Sequence, residues 1–115
     1  MHELSIAATI IETVTDEIIS RKLGKVTKIG LKIGALTDIV PDALTFGFDT
    51  LKKDSPLKDA SLEIESVPVM GQCQNCSKKF EVREFIFICP ECESVNIITE
   101  QGKELDITYL EIDDT

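Results

Sequence analysis

The sequence predicts an α+β fold, with two helices, a small three-stranded sheet and an inserted hairpin module that carries four cysteines. Three observations lead to this fold class. Apolar residues recur at helical spacing in two segments, apolar and polar residues alternate in other segments, and the cysteines form two close pairs. The chain of 115 residues has the size of one ordinary domain, and its hydrophobic content of 43% without tryptophan predicts a mainly aliphatic core.

The first predicted element is a helix that begins close to the N-terminus. Its apolar residues lie three or four positions apart, at Leu4, Ala7, Ile11, Val14 and Ile18. The same face is widened by Ile6, Ile10 and Ile19. The helix is predicted to end at Gly24, just beyond the cationic residues Arg21 and Lys22. We expect the apolar face to pack in the core.

A strand, a second helix and another strand follow. The first strand ends at Gly34, and one of its faces carries Thr27, Ile29, Leu31 and Ile33. Pro41 suits the first turn of the second helix, in which one face carries Leu44, Phe48 and Leu51. The next strand runs through Leu62 and Ile64 and stops near Val67-Pro68.

The last predicted strand follows Gly102. It contains Leu105, Ile107, Tyr109, Leu110 and Ile112. A lone strand would have nothing to bury its apolar face against, so we expect it to return to the first sheet. The predicted organisation is therefore a discontinuous α/β domain, 1–69 and 103–115, that is interrupted by a metal-binding domain, 70–102.

The metal-binding domain is predicted from four cysteines with the spacing Cys-x2-Cys-x12-Cys-x2-Cys. They are Cys73, Cys76, Cys89 and Cys92. Pairs two residues apart let a tight knuckle aim two thiolates at one ion, and four thiolates in tetrahedral array suit structural Zn(II). The run Phe85–Ile88 is predicted as the second strand of a hairpin that folds one knuckle over the other, as in a zinc ribbon.

The cysteine pattern has three alternative interpretations. Two disulfides are disfavoured because the chain has no apolar signal segment at its start. A thioredoxin-like dithiol needs one Cys-x2-Cys pair, and this chain has two. Rubredoxin-type iron uses similar knuckles, and the spacing by itself leaves iron open beside zinc.

Charge argues against a nucleic-acid partner. The chain has a net charge of −9, and residues 70–102 hold three cations against five carboxylates. Phosphate binding depends on cations, so the net negative charge of this segment disfavours it.

No apolar run reaches the roughly 18 residues of a membrane span. With reduced cysteines, the sequence favours a cytoplasmic protein without a membrane partner.

The N-terminus offers a second candidate metal site at Met1-His2-Glu3, and His2 is the only histidine of the chain. An unblocked α-amine, the His2 amide nitrogen and the His2 imidazole can form fused chelate rings in one plane. Square-planar nitrogen ligation favours Ni(II) or Cu(II), and Glu3 could complete the plane. The plain alternative is a solvated histidine without a metal.

Several motifs occur together in one order along the chain. They are Met1-His2-Glu3-Leu4-Ser5, Ile33-Gly34, Val40-Pro41 with Phe46 and Phe48, the two cysteine pairs, and Gly102-Lys103-Glu104-Leu105. Over its full length the chain therefore resembles the HypA/HybF family of hydrogenase maturation proteins. The family commonly has a glycine after the last cysteine, where this chain has Glu93, so a different turn is expected there.

The resemblance implies a nickel metallochaperone that helps insert Ni(II) into [NiFe] hydrogenase. It implies that His2 and Glu3 belong to a nickel site, which together with the Met1 α-amine gives the predicted site Met1, His2 and Glu3, and it implies a structural zinc on the four cysteines. The implied partners are an accessory nickel-binding GTPase and the hydrogenase large subunit, with urease maturation factors for some relatives. Strand exchange beyond the inserted module makes a monomer or a domain-swapped dimer the expected state.

A carrier rather than an enzyme is expected, because no nucleophile–base pair and no glycine-rich phosphate loop is evident in the sequence. Two other functions remain open at this point. One is a rubredoxin-like electron carrier with iron on the cysteines. The other is a zinc-ribbon interaction module that transports no metal.

Overall fold

A computed structural model describes residues 3–113 of the chain. Its helices and strands follow one another as α1 Glu3–Arg21, β1 Lys25–Gly34, α2 Pro41–Leu51, β2 Ser61–Val67, β3 Val69–Cys73, β4 Lys79–Val82, β5 Ile97–Gln101 and β6 Leu105–Asp113. Short 3-10 turns follow β1 and α2. Within the described residues, neither helix is long and apolar enough to cross a membrane.

The first sheet has the strand order β2-β1-β6. The last strand lies beside β1, as the sequence predicted, and the two helices with this small sheet confirm the α+β fold class. The inward face of β1 buries Ile29, Leu31 and Ile33. Strand β1 is central, so its side chains are covered more completely than those of the edge strands.

Helix α1 packs against α2. Its buried residues are Ile6, Ala7, Ile10 and Val14. The buried stripe is therefore rotated from the predicted one toward Ile6 and Ile10, and Leu4 is 55% exposed. On α2, Leu44 and Phe48 are fully buried, and Gly47 lets the helices approach because a Cβ there would lie 3.3 Å from Leu4 Cδ1.

The second sheet has the order β4-β3-β5, with β3 antiparallel to both neighbours. The prediction of a strand at Phe85–Ile88 is wrong. Glu84 and Phe85 have φ angles of 55° and 59°, and the Ile86 N–H donates to the Arg83 carbonyl at 3.0 Å. Two successive left-handed residues reverse the chain in a tight turn, so this run cannot extend as a strand. The hairpin of the module is β3–β4, and β5 supplies the third strand.

A close backbone approach joins the segment after β1 to the turn before β6. The Gly34 N–H donates to the Glu104 carbonyl and the Leu36 N–H to the Gly102 carbonyl, each at 2.8 Å. A Cβ on Gly34 would lie 2.1 Å from the Gly102 oxygen, and Gly102 itself has φ 124°. Only glycine fits either position.

The chain divides into two compact units. The first consists of Met1–Leu31, Ile39–Glu65 and Ile107–Thr115, and the second of Lys32–Asp38 and Ser66–Asp106. The predicted domains, 1–69 with 103–115 and the inserted 70–102, stay a prediction.

Candidate metal centre

The four cysteines come together at one end of the second sheet. Their sulfur atoms all lie within 4.8 Å of one another, with 3.6 Å between the Sγ atoms of Cys73 and Cys92 and 3.5 Å between those of Cys76 and Cys89. A tetrahedral zinc site with Zn–S bonds of about 2.3 Å requires sulfurs about 3.8 Å apart. A disulfide would need about 2 Å, and all four cysteines are free. The donor set and its geometry therefore fit a structural zinc ion.

The two knuckles repeat the same hydrogen bonds. In the first, the Ser77 N–H donates to the Cys73 carbonyl at 2.9 Å, and in the second the Glu93 N–H donates to the Cys89 carbonyl at 2.9 Å. Ser77 and Glu93 have φ angles of 67° and 62°. The expectation of a different turn at Glu93 is wrong, because the repeated hydrogen bonds hold this glutamate in the left-handed conformation that glycine would adopt without strain.

Backbone amides point at the buried sulfurs. Cys73 Sγ accepts from the Asn75 and Cys76 amides at 3.3 and 3.4 Å, and Cys89 Sγ accepts from the Glu91 amide at 3.4 Å. Burial by itself would raise the pKa of Cys73, but the Cys76 and Asn75 amides and the neighbouring sulfurs lower this pKa to about 6. Metal ligation requires thiolates. The backbone amides of the knuckles favour the thiolate forms of the buried Cys73 and Cys89, and so favour cation binding.

The exposed Cys76 shows the opposite balance. The Lys78 amide lowers its pKa, but the neighbouring Cys89 sulfur and burial outweigh this and raise the pKa to about 12. Four adjacent thiols do not all ionise together, because each thiolate repels the next. A divalent ion removes that repulsion, so the cluster has the chemistry of a site completed by metal.

The cations of the metal-binding module are all engaged by carboxylates. Lys78 lies 3.9 Å from Glu91, Lys79 lies 3.7 Å from Glu100, and Arg83 lies 3.2 Å from Glu81. Because these cations are paired with carboxylates, the module offers little free positive charge to a phosphate backbone.

Of the predicted nickel-site residues, Met1 and His2 lie outside the described residues. Glu3 is the first residue of α1, and its Oε2 accepts a hydrogen bond from the Val40 amide at 3.0 Å. Val40 precedes Pro41, the first residue of α2, and has no side-chain cap of its own. The Glu3 carboxylate thus supplies a negative charge at the start of α2. Sequence reasoning missed Val40 because no local pattern links residues 37 positions apart.

A second polar cluster, on the first sheet, was also missed by sequence reasoning. The Tyr109 hydroxyl donates to Glu63, while Lys28 lies 3.3 Å from Glu63 and 3.8 Å from Glu111. The Tyr109 ring covers Gly30, where a Cβ would lie 2.0 Å from the ring. The hydrogen bond to Glu63 raises the pKa of Tyr109 to about 12, and burial adds to this. The cluster ties the three strands together.

Comparison with known proteins gives a consistent result over the whole chain. Residues 1–112 match the family model described as hydrogenase/urease nickel incorporation, metallochaperone, hypA. Hydrogenase maturation factor HypA of Desulfitobacterium hafniense is 37% identical over 114 residues, which cover 99% of this chain and 100% of that protein. The corresponding factor of Geobacter metallireducens is 37% identical over 113 residues, with 98% and 100% covered.

Two solved structures share the fold. The Ni metallochaperone HypA from Helicobacter pylori matches with a TM-score of 0.66 and 27% identity, covering 97% of each chain. A second structure, described as HypA protein, matches with a TM-score of 0.73 and 26% identity, covering 100% of this chain and 98% of the other.

These findings confirm the predicted nickel metallochaperone of hydrogenase maturation. They do not favour the rubredoxin-like carrier or the interaction module that transports no metal. They also bear out the predicted cofactors, Ni(II) as transported ion and structural Zn(II), for which the four sulfurs are suited. The chain belongs to the HypA family of hydrogenase and urease nickel-incorporation metallochaperones.

Proposed function

We propose that this chain carries Ni(II) on its first three residues. The ligands are the Met1 α-amine, the amide nitrogen and imidazole of His2, and the carboxylate of Glu3 or a partner's group in the fourth position. The observation that supports this assignment is the Glu3–Val40 hydrogen bond, because it fixes Glu3, the residue next to the proposed chelate in the chain, at the start of α1. Square-planar nitrogen ligands select nickel over zinc.

The chelate suits transfer rather than storage. Ligands that lie consecutively along one terminus can be replaced one at a time, so an acceptor can take over the ion without a free-ion intermediate. Nickel binding displaces the His2 amide proton, so affinity rises with pH. The chain acts in this proposal as a carrier and not as a catalyst.

The four cysteines hold a structural zinc in this proposal. A closed four-thiolate shell has no open position for a reactant, so its contribution is to folding. The module needs that contribution because the buried aliphatic side chains of the second sheet are few, with Val69 and Val82 the main ones among the described residues.

The partners that fit this role are an accessory nickel-binding GTPase and the large subunit of [NiFe] hydrogenase, with urease maturation as a second destination. The proposal also includes a cytoplasmic location, the absence of nucleic-acid and membrane partners, and a monomer or strand-exchanged dimer.

Nickel titration of the untagged protein tests the assignment, with zinc content measured on the same samples. Wild type is compared with His2→Ala, with a chain extended at its N-terminus, and with Glu12→Ala as a matched control on the same helix. We expect His2→Ala and the blocked amine to lose nickel affinity at least about 100-fold, since each removes one or more chelate rings. Zinc content should stay at one ion per chain in all four. Nickel binding that survives a blocked amine would exclude the fused chelate.

A further inference from the structure

The metal-binding module displays an apolar surface that its own fold does not use. We define this module apex as Phe85, Ile86 and Ile88, whose side chains are 60%, 53% and 47% exposed. A shallow groove of about 260 Å³ runs beside it, lined by Phe80, Glu81, Arg83, Ile86, Ile88 and Pro90. Contiguous exposed apolar side chains on a small protein mark interaction sites.

The turn that carries Phe85 has a strained backbone and leaves the Phe85 ring exposed. Glu84 and Phe85 occupy the two central positions of the turn that the Ile86-to-Arg83 hydrogen bond closes, both at positive φ. Turns of this kind prefer Asn-Gly, and here a large aromatic takes the second position. The knuckle hydrogen bonds and the four sulfurs involve no side chain of residues 84–88. Zinc ligation therefore does not explain why Phe85 stands at this turn.

The charges around the module apex specify what it can bind. Between positions 81 and 93 there are four carboxylates, at Glu81, Glu84, Glu91 and Glu93, against the single cation Arg83. Arg83 is paired with Glu81 and Lys78 with Glu91, so Glu84 and Glu93 are the two of these carboxylates outside those ion pairs. An occupant must therefore bring apolar side chains for the groove and cationic groups for the rim. Phosphate backbones and anionic lipid surfaces are negatively charged, so these carboxylates would repel them.

We propose that the module apex is a docking surface for a protein segment in which apolar side chains are flanked by lysine or arginine. Phe85 is the anchor, the groove receives an apolar side chain of the partner, and Glu84 and Glu93 face its cations. Large aromatics at the centre of an interface contribute most of the affinity. This surface belongs to the second unit and involves none of residues 1–3, so the proposal is independent of the nickel-site assignment.

Three twelve-residue fluorescent peptides serve as probes for the zinc-loaded full chain: alternating leucine and lysine, alternating leucine and glutamate, and alternating serine and lysine. Anisotropy gives each Kd, and amide chemical shifts give the location. The test variant is Phe85→Ser with Ile86→Ser. The control is Ile19→Ser, which removes an apolar side chain of comparable exposure from α1. Glu84→Gln with Glu93→Gln tests the rim without touching the apolar surface.

We expect the leucine–lysine peptide to bind, with shifts confined to residues 80–93. Affinity should fall about 10-fold or more in the Phe85/Ile86 variant and about 3-fold in the rim variant, and stay unchanged in Ile19→Ser. The other two peptides should bind at least about 10-fold more weakly. Failure of the leucine–lysine peptide to bind, equal binding of the leucine–glutamate peptide, or shifts elsewhere would overturn the proposal. Self-association that the Phe85/Ile86 variant abolishes would also overturn it, by assigning the surface to a second copy of the chain.

Discussion

Glu3 at the start of α1 caps α2, because its carboxylate accepts a hydrogen bond from the Val40 amide at 3.0 Å. The residue that completes the predicted nickel-binding motif thereby joins the first turns of the two packed helices. This hydrogen bond therefore links the N-terminal end of α1 to the entry of α2.

Replacement of Glu3 should destabilise the protein even without nickel. Glu3→Ala leaves the Val40 N–H without its acceptor, and we expect a loss of about 1 kcal/mol, comparable to the loss of a helix cap. Glu3→Gln keeps an oxygen acceptor without the charge and should lose less. Urea unfolding of the nickel-free, zinc-loaded protein measures both.

Glu12→Ala is the matched control for Glu3, since it removes an exposed carboxylate from the same helix. Its free energy of unfolding should stay within about 0.5 kcal/mol of wild type. Equal stability of Glu3→Ala and Glu12→Ala would show that the Val40 contact contributes nothing in solution.

Glu93→Gly should stabilise the second knuckle. Glu93 has φ 62°, a conformation that costs an L-residue about 1–2 kcal/mol and costs glycine little. Glycine also raises the entropy of the unfolded chain, so we expect a net gain of about 0.5–1 kcal/mol in the free energy of unfolding. The gain should be measurable as slower zinc release to a chelator and a higher Tm. Ser77→Gly at the equivalent position of the first knuckle should act in the same direction.

Glu91→Gly is the contrasting variant, because Glu91 is not among the residues of positive φ. It should slightly destabilise the module, since glycine there adds unfolded-state entropy and the change also removes the exposed Glu91–Lys78 ion pair. A gain at Glu91 equal to that at Glu93 would mean that the left-handed backbone is not the cause.

The ultraviolet titration of Tyr109 should be displaced to high pH. Tyr109 is the only tyrosine and the chain has no tryptophan, so the phenolate absorbance reports this one group. The hydrogen bond to Glu63 raises its pKa to about 12 from 10.0. Because the folded pKa exceeds the unfolded one, the stabilisation is complete below pH 10 and is lost as the pH rises through about 12.

Glu63→Gln removes the charge that holds the Tyr109 proton. Its phenolate midpoint should move back toward the ordinary tyrosine value. The same hydrogen bond lowers the pKa of Glu63, so the carboxylate's contribution is present above pH 4.5 and fades as the pH falls below it. A Tyr109 midpoint near 10 in the wild type would contradict the contact.

Removal of zinc should unfold the metal-binding module selectively. The second sheet buries few large side chains, whereas α1, α2 and β1 share an extensive aliphatic core. After treatment with a strong chelator, hydrogen exchange should show lost amide protection in β3, β4 and β5 with protection retained in α1 and β1. Zinc-free protein that keeps the protection of β3 would show that the module folds without metal.

Short-range features were predictable from the sequence alone. Apolar spacing predicted both helices and the central strand, and the close cysteine pairs predicted the four-sulfur cluster, because each depends on residues only a few positions apart. The return of the C-terminal strand to the first sheet was predicted from burial, since that strand had no other surface to cover.

Sequence reasoning failed where backbone conformation was decided by its surroundings. The run Phe85–Ile88 has the composition of a strand, yet the knuckle that follows and the pairing of β5 with β3 leave it as a turn. Glu93 is left-handed although glutamate does not favour that conformation, because two hydrogen bonds of the knuckle fix it.

By itself, therefore, the sequence determined the fold class, the four-sulfur site and the family resemblance, since these rest on local spacing and on residue chemistry. Only the tertiary structure decided which distant groups meet. Glu3 reaches Val40, and Tyr109 covers Gly30 and donates to Glu63, because the packing of helices and the register of strands bring them together. Contacts across such separations are set by the shape of the whole core, which no local pattern encodes.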